Sequence, residues 1–123
     1  MPDPSYILLY VDDPVASAGF YGQLLGRKPV EEEPGFVMFV LESGVKLGLW
    51  ARHTVEPAAI AASGASELAI ALSDADAVRA THAEWARRGR AIAQAPTRME
   101  FGFTFVALDP DGHRLRVFTP VAS

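Results

Sequence analysis

The sequence predicts an α+β fold made of two tandem βαβββ modules, and three observations predict it. An apolar run of strand length followed by an Asp-containing cap occurs twice, as YILLYVDDPVAS from Tyr6 and ELAIALSDADAV from Glu67. A stretch with helical character follows each run. Three more strand-like segments follow each helix, the last two joined by a turn, ESG in the first copy and DPDG in the second. Such self-similarity along a chain is the mark of a repeated supersecondary unit.

Each element has a local reason. The first helix is predicted over Pro14 to Leu25. Asp12 or Asp13 can cap it, proline suits a first turn, and Gly26 lies just beyond its end. The second is predicted over Asp74 to Arg88, capped by Ser73 or Asp74 and ended by Gly89; Val78, Thr81, His82 and Trp85 fall on one of its faces. Arg27 to Glu33 and Arg90 to Pro96 read as short strands. Phe36 to Trp50 then lines up with Phe101 to Phe118, with Gly44 and Gly112 in the two hairpin turns. The modules span residues 5–52 and 66–120. The Ala-rich stretch between them, 53–65, reads as a linker with a short helical turn at Pro57 to Ala62. Either half alone is too small to bury its sheet, so the expectation is one domain, 1–123, with a shared core.

Composition narrows the function. The chain has 123 residues, half of them hydrophobic, in keeping with an ordinary globular domain. It has no cysteine, which excludes disulfides and thiolate metal sites, and nothing points to an oxidising compartment. MPDPSYILLYVDDP lacks the basic start and long apolar run of a signal peptide, no stretch approaches a membrane span, and a net charge of −4 disfavours nucleic acid. The expected location is the cytoplasm, with neither membrane nor nucleic acid as partner.

VDDPVASAGFYGQLLG (Val11 to Gly26) and LDPDGHRLRV (Leu108 to Val117), within this duplicated pattern, resemble the vicinal-oxygen-chelate superfamily of glyoxalases, bleomycin-resistance proteins and dioxygenases. The resemblance covers nearly the whole chain. It implies that each module curls its mixed sheet into half of a cup, and that a metal would be held by two residues from each module. The matching positions here are Tyr6, Gly48, Glu67 and Arg116. Gly48 offers no side chain, a neutral phenol is a poor ligand for most divalent ions, and Arg116 has no acceptor; only Glu67 could ligate. His53, His82 and His113 fall in linker, helix and turn, at no ligand spacing. The expectation is that metal and other cofactors are absent, and no residue is assigned a catalytic role. Arg116 can instead donate two bonds to Glu67.

Side chains alternate along strands. If those four positions face the cup, so do Leu8, Tyr10, Lys46, Trp50, Ala69, Ala71, Arg114 and Phe118. The alternate set, among them Ile7, Leu9, Leu47, Leu49, Leu68, Ile70, Leu115 and Val117, is wholly aliphatic and suits packing under helices. Phe36 or Phe39, Met38, Met99, Phe103 and Phe105 are further candidates for the cup, although core packing accounts for about half of such aromatics. Trp50 beside Gly48 stands out: the glycine and the small Ala69 and Ala71 read as space left open over which a flat ligand could stack.

LGLWARHTVEP, SELAIAL and DPDGHRLRVFTP further resemble the phenazine-antibiotic-resistance binding proteins of that superfamily. This resemblance implies binding of a planar aromatic ligand without metal, as a homodimer, with stacking on Trp50 and polar contacts near Glu56, Glu67 and Arg116. The alternatives are an enzyme of the same fold, a glyoxalase, ring-cleaving dioxygenase or thiol transferase that is either metal-dependent or an acid–base catalyst with Glu67 as its base, and a regulatory domain whose cup is filled by its own side chains.

Overall fold

The computed structural model describes residues 1–121, so the end of the expected domain, residues 122 and 123, lies outside it. The chain forms two compact units, Met1–Ala61 and the residues from Ala62 on. Each is one βαβββ module. The first consists of β1 (Tyr6–Val11), α1 (Pro14–Leu25), β2 (Glu31–Glu33), β3 (Phe36–Val40) and β4 (Lys46–Ala51), with strand order β1-β4-β3-β2. The second consists of β5 (Glu67–Ala71), α2 (Ala75–Arg87), β6 (Ile92–Met99), β7 (Gly102–Leu108) and β8 (Arg114–Pro120), in the matching order β5-β8-β7-β6. Both sheets are mixed: the β1–β4 and β5–β8 pairs are parallel and the others antiparallel.

The repeat extends to individual pairings. Tyr6 lies opposite Lys46 as Glu67 lies opposite Arg114, and Tyr10 opposite Trp50 as Ala71 opposite Phe118. On the other side of the same strands, Met38 faces Gly48 as Val106 faces Arg116. The hairpin turns also match. Leu41 N–H donates to the Val45 carbonyl, and Asp109 N–H to that of His113. In the second turn the buried Asp109 carboxylate also accepts from the backbone N–H groups of Asp111 and His113, at 2.9 and 2.8 Å. The DPDG segment is therefore held by its own first aspartate, as Asx turns are.

Capping decides where the helices begin. Asp13 Oδ1 accepts from Val15 and Ala16 N–H, and Pro14 opens the helix. Gly26 closes it at φ 65°, a left-handed conformation that costs glycine little. Asp74 Oδ1 accepts from Ala77 N–H at 2.8 Å and caps α2. At the far end of α2, Glu84 accepts from both Arg87 and Arg88, at 2.7 Å each in the shorter contacts. These two donors, Arg87 first, hold the Glu84 carboxyl at about 2, below the usual carboxylate range.

Each helix covers one face of its own sheet. α1 presents Pro14, Ser17, Ala18 and Tyr21 to β3 and β4, whose Val37, Phe39, Leu47 and Leu49 are buried beneath it. α2 presents Val78 and Trp85 to β6, β7 and β8. There the fully buried Phe105 meets His82 and Trp85 edge to face, ring centres 5.2 and 5.4 Å apart. Such ring pairs add to what apolar burial already contributes.

Three expected elements differ. The strand expected over Arg27 to Glu33 is confined to Glu31–Glu33, because Arg27 N–H still serves the helix end through the Gly22 carbonyl and Pro29 has no N–H to pair. The strand expected over Arg90 to Pro96 instead runs Ile92–Met99, accommodating Pro96 through register shifts between Ile92 and Thr97. No helical turn forms over Pro57 to Ala62. A 3-10 turn forms earlier, at Arg52–Thr54, where Thr54 Oγ1 donates to the Ala51 carbonyl and Arg52 Nη1 to that of Ala61.

Gly102 sits at φ 151°, and a Cβ there would run into the Thr119 carbonyl of β8. Gly102→Ala is expected to lower unfolding stability by about 1–3 kcal/mol in urea denaturation, through strain and a forced separation of β7 from β8. Because the folded Glu84 carboxyl titrates below its unfolded value, its contribution is present above the ordinary carboxylate range and is lost as pH falls towards 2. A small deficit in melting temperature for Glu84→Gln at neutral pH should therefore close in acid.

Candidate functional site

The face of each sheet turned away from its helix carries the chemistry. On the first sheet, cross-strand pairing groups the side chains into rows. Leu8, Gly48, Met38 and Glu31 form one; Tyr10, Trp50, Phe36 and Glu33 form the next. A groove of about 490 Å³ runs over this face, lined by Tyr6, Leu8, Glu31, Phe36 and Trp50. Tyr6 and Leu8 are 53% and 44% exposed, high for large apolar side chains on a sheet. Tyr10 meets Trp50 edge to face at 6.2 Å between ring centres, bracing the indole from one side. The Lys46 ammonium lies 5.1 Å from the centre of the Tyr6 ring, a cation–π contact.

On the second sheet the same positions are polar. Arg116 Nε donates to Glu67 Oε1 at 2.6 Å, while its Nη1 reaches Gln94 Oε1 and Thr104 Oγ1, both at 3.3 Å. Thr104 is buried and passes its own proton to the Val117 carbonyl at 3.0 Å. The guanidinium also lies 5.5 Å from the centre of the Phe101 ring, and Phe101 packs on Phe118. A hollow of about 340 Å³ borders this network, lined by Ala93, Gln94, Met99, Val106, Arg114 and Arg116.

Of the sequence-derived candidates, Tyr6, Tyr10, Met38, Gly48 and Trp50 share the far face of the first sheet, and Glu67, Arg116 and Phe118 that of the second. Phe39 does not belong with them. It is fully buried on the opposite face, its ring 3.8 Å from where a Gly22 Cβ would stand, because Met38 takes the position across from Gly48. Phe103 and Phe105 are likewise under α2, paired beside Thr119 and Val117, while Thr104 and Val106 take the far face. Glu56 is an exposed linker residue. The expectation of open space over Gly48 is also corrected. The side chains of Leu8 and Phe36 fold over it, and a Cβ there would stand 2.7 and 2.9 Å from them. The glycine admits its neighbours, and the free volume lies beside Trp50 instead.

Glu31, Gln94 and Thr104 were not singled out from the sequence. For Glu31 the signal was available: extending the face alternation to the adjoining strand places it in line with Met38. The donor set at the four metal-ligand positions does not suit a divalent cation, since its one carboxylate, Glu67, is engaged by Arg116. Among the described residues no three His, Cys, Asp or Glu side chains cluster. None of their helices is long and apolar enough to cross a membrane.

Two βαβββ modules with their chemistry on the sheet faces away from the helices define a class. Residues 4–117 match the glyoxalase/bleomycin resistance protein/dioxygenase superfamily model, and the chain belongs to that superfamily. It is 29% identical over 117 residues to the phenazine antibiotic resistance protein EhpR of Enterobacter agglomerans, covering 93% of this chain and 89% of that protein. Among solved structures it is similar to protein ATC0852 from Agrobacterium tumefaciens, at 48% identity and a TM-score of 0.87 over 99% of this chain and 100% of the other. A glyoxalase-related enzyme from Fulvimarina pelagi shares the fold at 22% identity, with a TM-score of 0.83 over 100% of this chain and 94% of its own.

The face assignment has a direct test. Phe39→Ala is expected to cost about 3–5 kcal/mol of unfolding free energy, as buried ring deletions do. Met38→Ala on the other face should cost about 1 kcal/mol or less by the same denaturant measurement.

Proposed function

We propose that this protein binds a small planar aromatic compound without transforming it, and that its role is resistance to a phenazine-like antibiotic by sequestration. The observation that carries the reading is the groove over the first sheet, where Trp50, Phe36 and Tyr6 offer ring surfaces around a volume suited to a flat ligand. The similarity to EhpR, a phenazine antibiotic resistance protein, supports the ligand class. The reading is metal-independent: Tyr6, Gly48 and Arg116 supply no ligand suited to a divalent ion, and the Glu67 carboxylate is neutralised by its bond from Arg116. In this proposal the protein acts in the cytoplasm as a homodimer with the symmetry usual for such assemblies.

The experiment is titration of phenazine into metal-analysed protein, followed by tryptophan emission in the parent and in Trp50→Ala. Trp85 belongs to α2, buried against Phe105 of the second sheet, and supplies a constant background in both. Saturable quenching in the parent, its loss in Trp50→Ala, and less than stoichiometric zinc, iron or manganese are expected. Tightly bound stoichiometric metal would turn the reading towards an enzyme, and a monomeric mass by light scattering would remove the dimer.

A further inference from the structure

We infer that the groove over the first sheet selects planar aromatic cations, with Glu31 as the specificity-determining residue. The inference rests on the aromatic-binding reading above and goes beyond it by fixing the charge of the ligand.

The lining of the groove has two kinds of member. Tyr6, Phe36 and Trp50 present aromatic rings, whose faces carry partial negative charge and attract cations. Glu31 is the one carboxylate among the residues lining the groove. Its position follows from register. Glu31 pairs with Met38, which pairs with Gly48, so its side chain emerges on the groove side of β2; Glu33, paired with Phe36, emerges on the same side one row along. Glu32 points the other way. Two carboxylates thus border an aromatic floor at one sheet edge.

The charge opposing them is Lys46, the other ionisable side chain of this face apart from the tyrosines. Its ammonium keeps its charge and lies 5.1 Å from the centre of the Tyr6 ring, but it is not part of the groove lining. That contact also shows a ring of this groove accepting a cation. A ligand carrying a protonated ring nitrogen or amine would stack on Trp50 and donate an N–H to Glu31, a charge-assisted bond stronger than a neutral one. An anionic ligand of the same shape would meet like charge at the rim.

The test uses three tricyclic probes of similar size and different charge: protonated 9-aminoacridine, neutral phenazine and phenazine-1-carboxylate. Binding to the full chain is measured by calorimetry at low and high salt. The cation is expected to bind about tenfold more tightly than phenazine and the carboxylate most weakly, with the cation's advantage shrinking as salt rises. Glu31→Gln should weaken the cation about five- to tenfold and leave phenazine within about twofold, while Glu31→Asp, which keeps the charge, should retain the preference. Glu31 is exposed, so neither change threatens folding. The inference is overturned if the carboxylate binds as well as the cation, or if Glu31→Gln leaves the ratio of cation to neutral affinity unchanged. In those outcomes the stacking site still stands if Trp50→Ala weakens all three probes. If none of the three binds the parent, both readings fall.

Discussion

A strand that returns to pair in parallel with an earlier one needs a long crossover, and in each module that crossover carries a helix across one face of the sheet. The helix buries whatever side chains it covers and leaves the other face for chemistry. Because strand side chains alternate, this one choice sorts every residue of four strands at once, and a slip of one residue would exchange the two sets. Val37, Phe39, Leu47 and Leu49 lie under α1, while Tyr10, Met38, Gly48 and Trp50 are turned away from it. The groove is a consequence of where α1 sits as much as of the residues that line it.

This sorting explains which parts of the molecule were legible in the sequence. The helix limits were, because Asp13, Pro14 and Gly26 each act through local backbone geometry that needs no distant partner. The facing of β1, β4, β5 and β8 was also legible, since one parity is aliphatic and the other mixed. β3 was not: FVMFV has large apolar residues at both parities, so only the pairing of Met38 with Gly48 decides it. β7 carries its own marker. Thr104 is the one polar residue in FTFV, and it lies on the polar face, where it accepts from Arg116; Phe103 and Phe105 must then go under the helix. The linker forms no helical turn at Pro57 to Ala62 because alanine content favours a helix only where the backbone is otherwise free to form one, whereas Arg52 ties the end of the segment back to the turn at Arg52–Thr54.

The two modules share a backbone plan and have parted in chemistry. Matching positions hold Tyr6, Lys46, Gly48 and Trp50 in one, and Glu67, Arg114, Arg116 and Phe118 in the other. The first set builds an aromatic surface with space beside it. The second builds a polar network in which Arg116 is held at once by Glu67, Gln94 and Thr104. Partly buried ion pairs of this kind contribute little net stability, since desolvation offsets much of the attraction, but they hold side chains in one geometry. Function in this fold lies in such side-chain choices, and the duplicated strands serve as a common frame for them.

The glutamates of β2 have a second consequence. β2 is the outermost strand of its sheet, with one row of backbone groups facing away from any neighbouring strand. Such rows are templates on which another chain can add a strand and start aggregation. Three consecutive carboxylates on so short a strand oppose that, because a second copy docking edge to edge would bring like charges into register. The far edge of the other sheet is guarded differently, by the irregular pairing of β6 and by Pro96. The acidic edge therefore serves solubility whatever the groove binds, and a change at Glu31 that suits a new ligand would also have to leave the edge unable to self-associate.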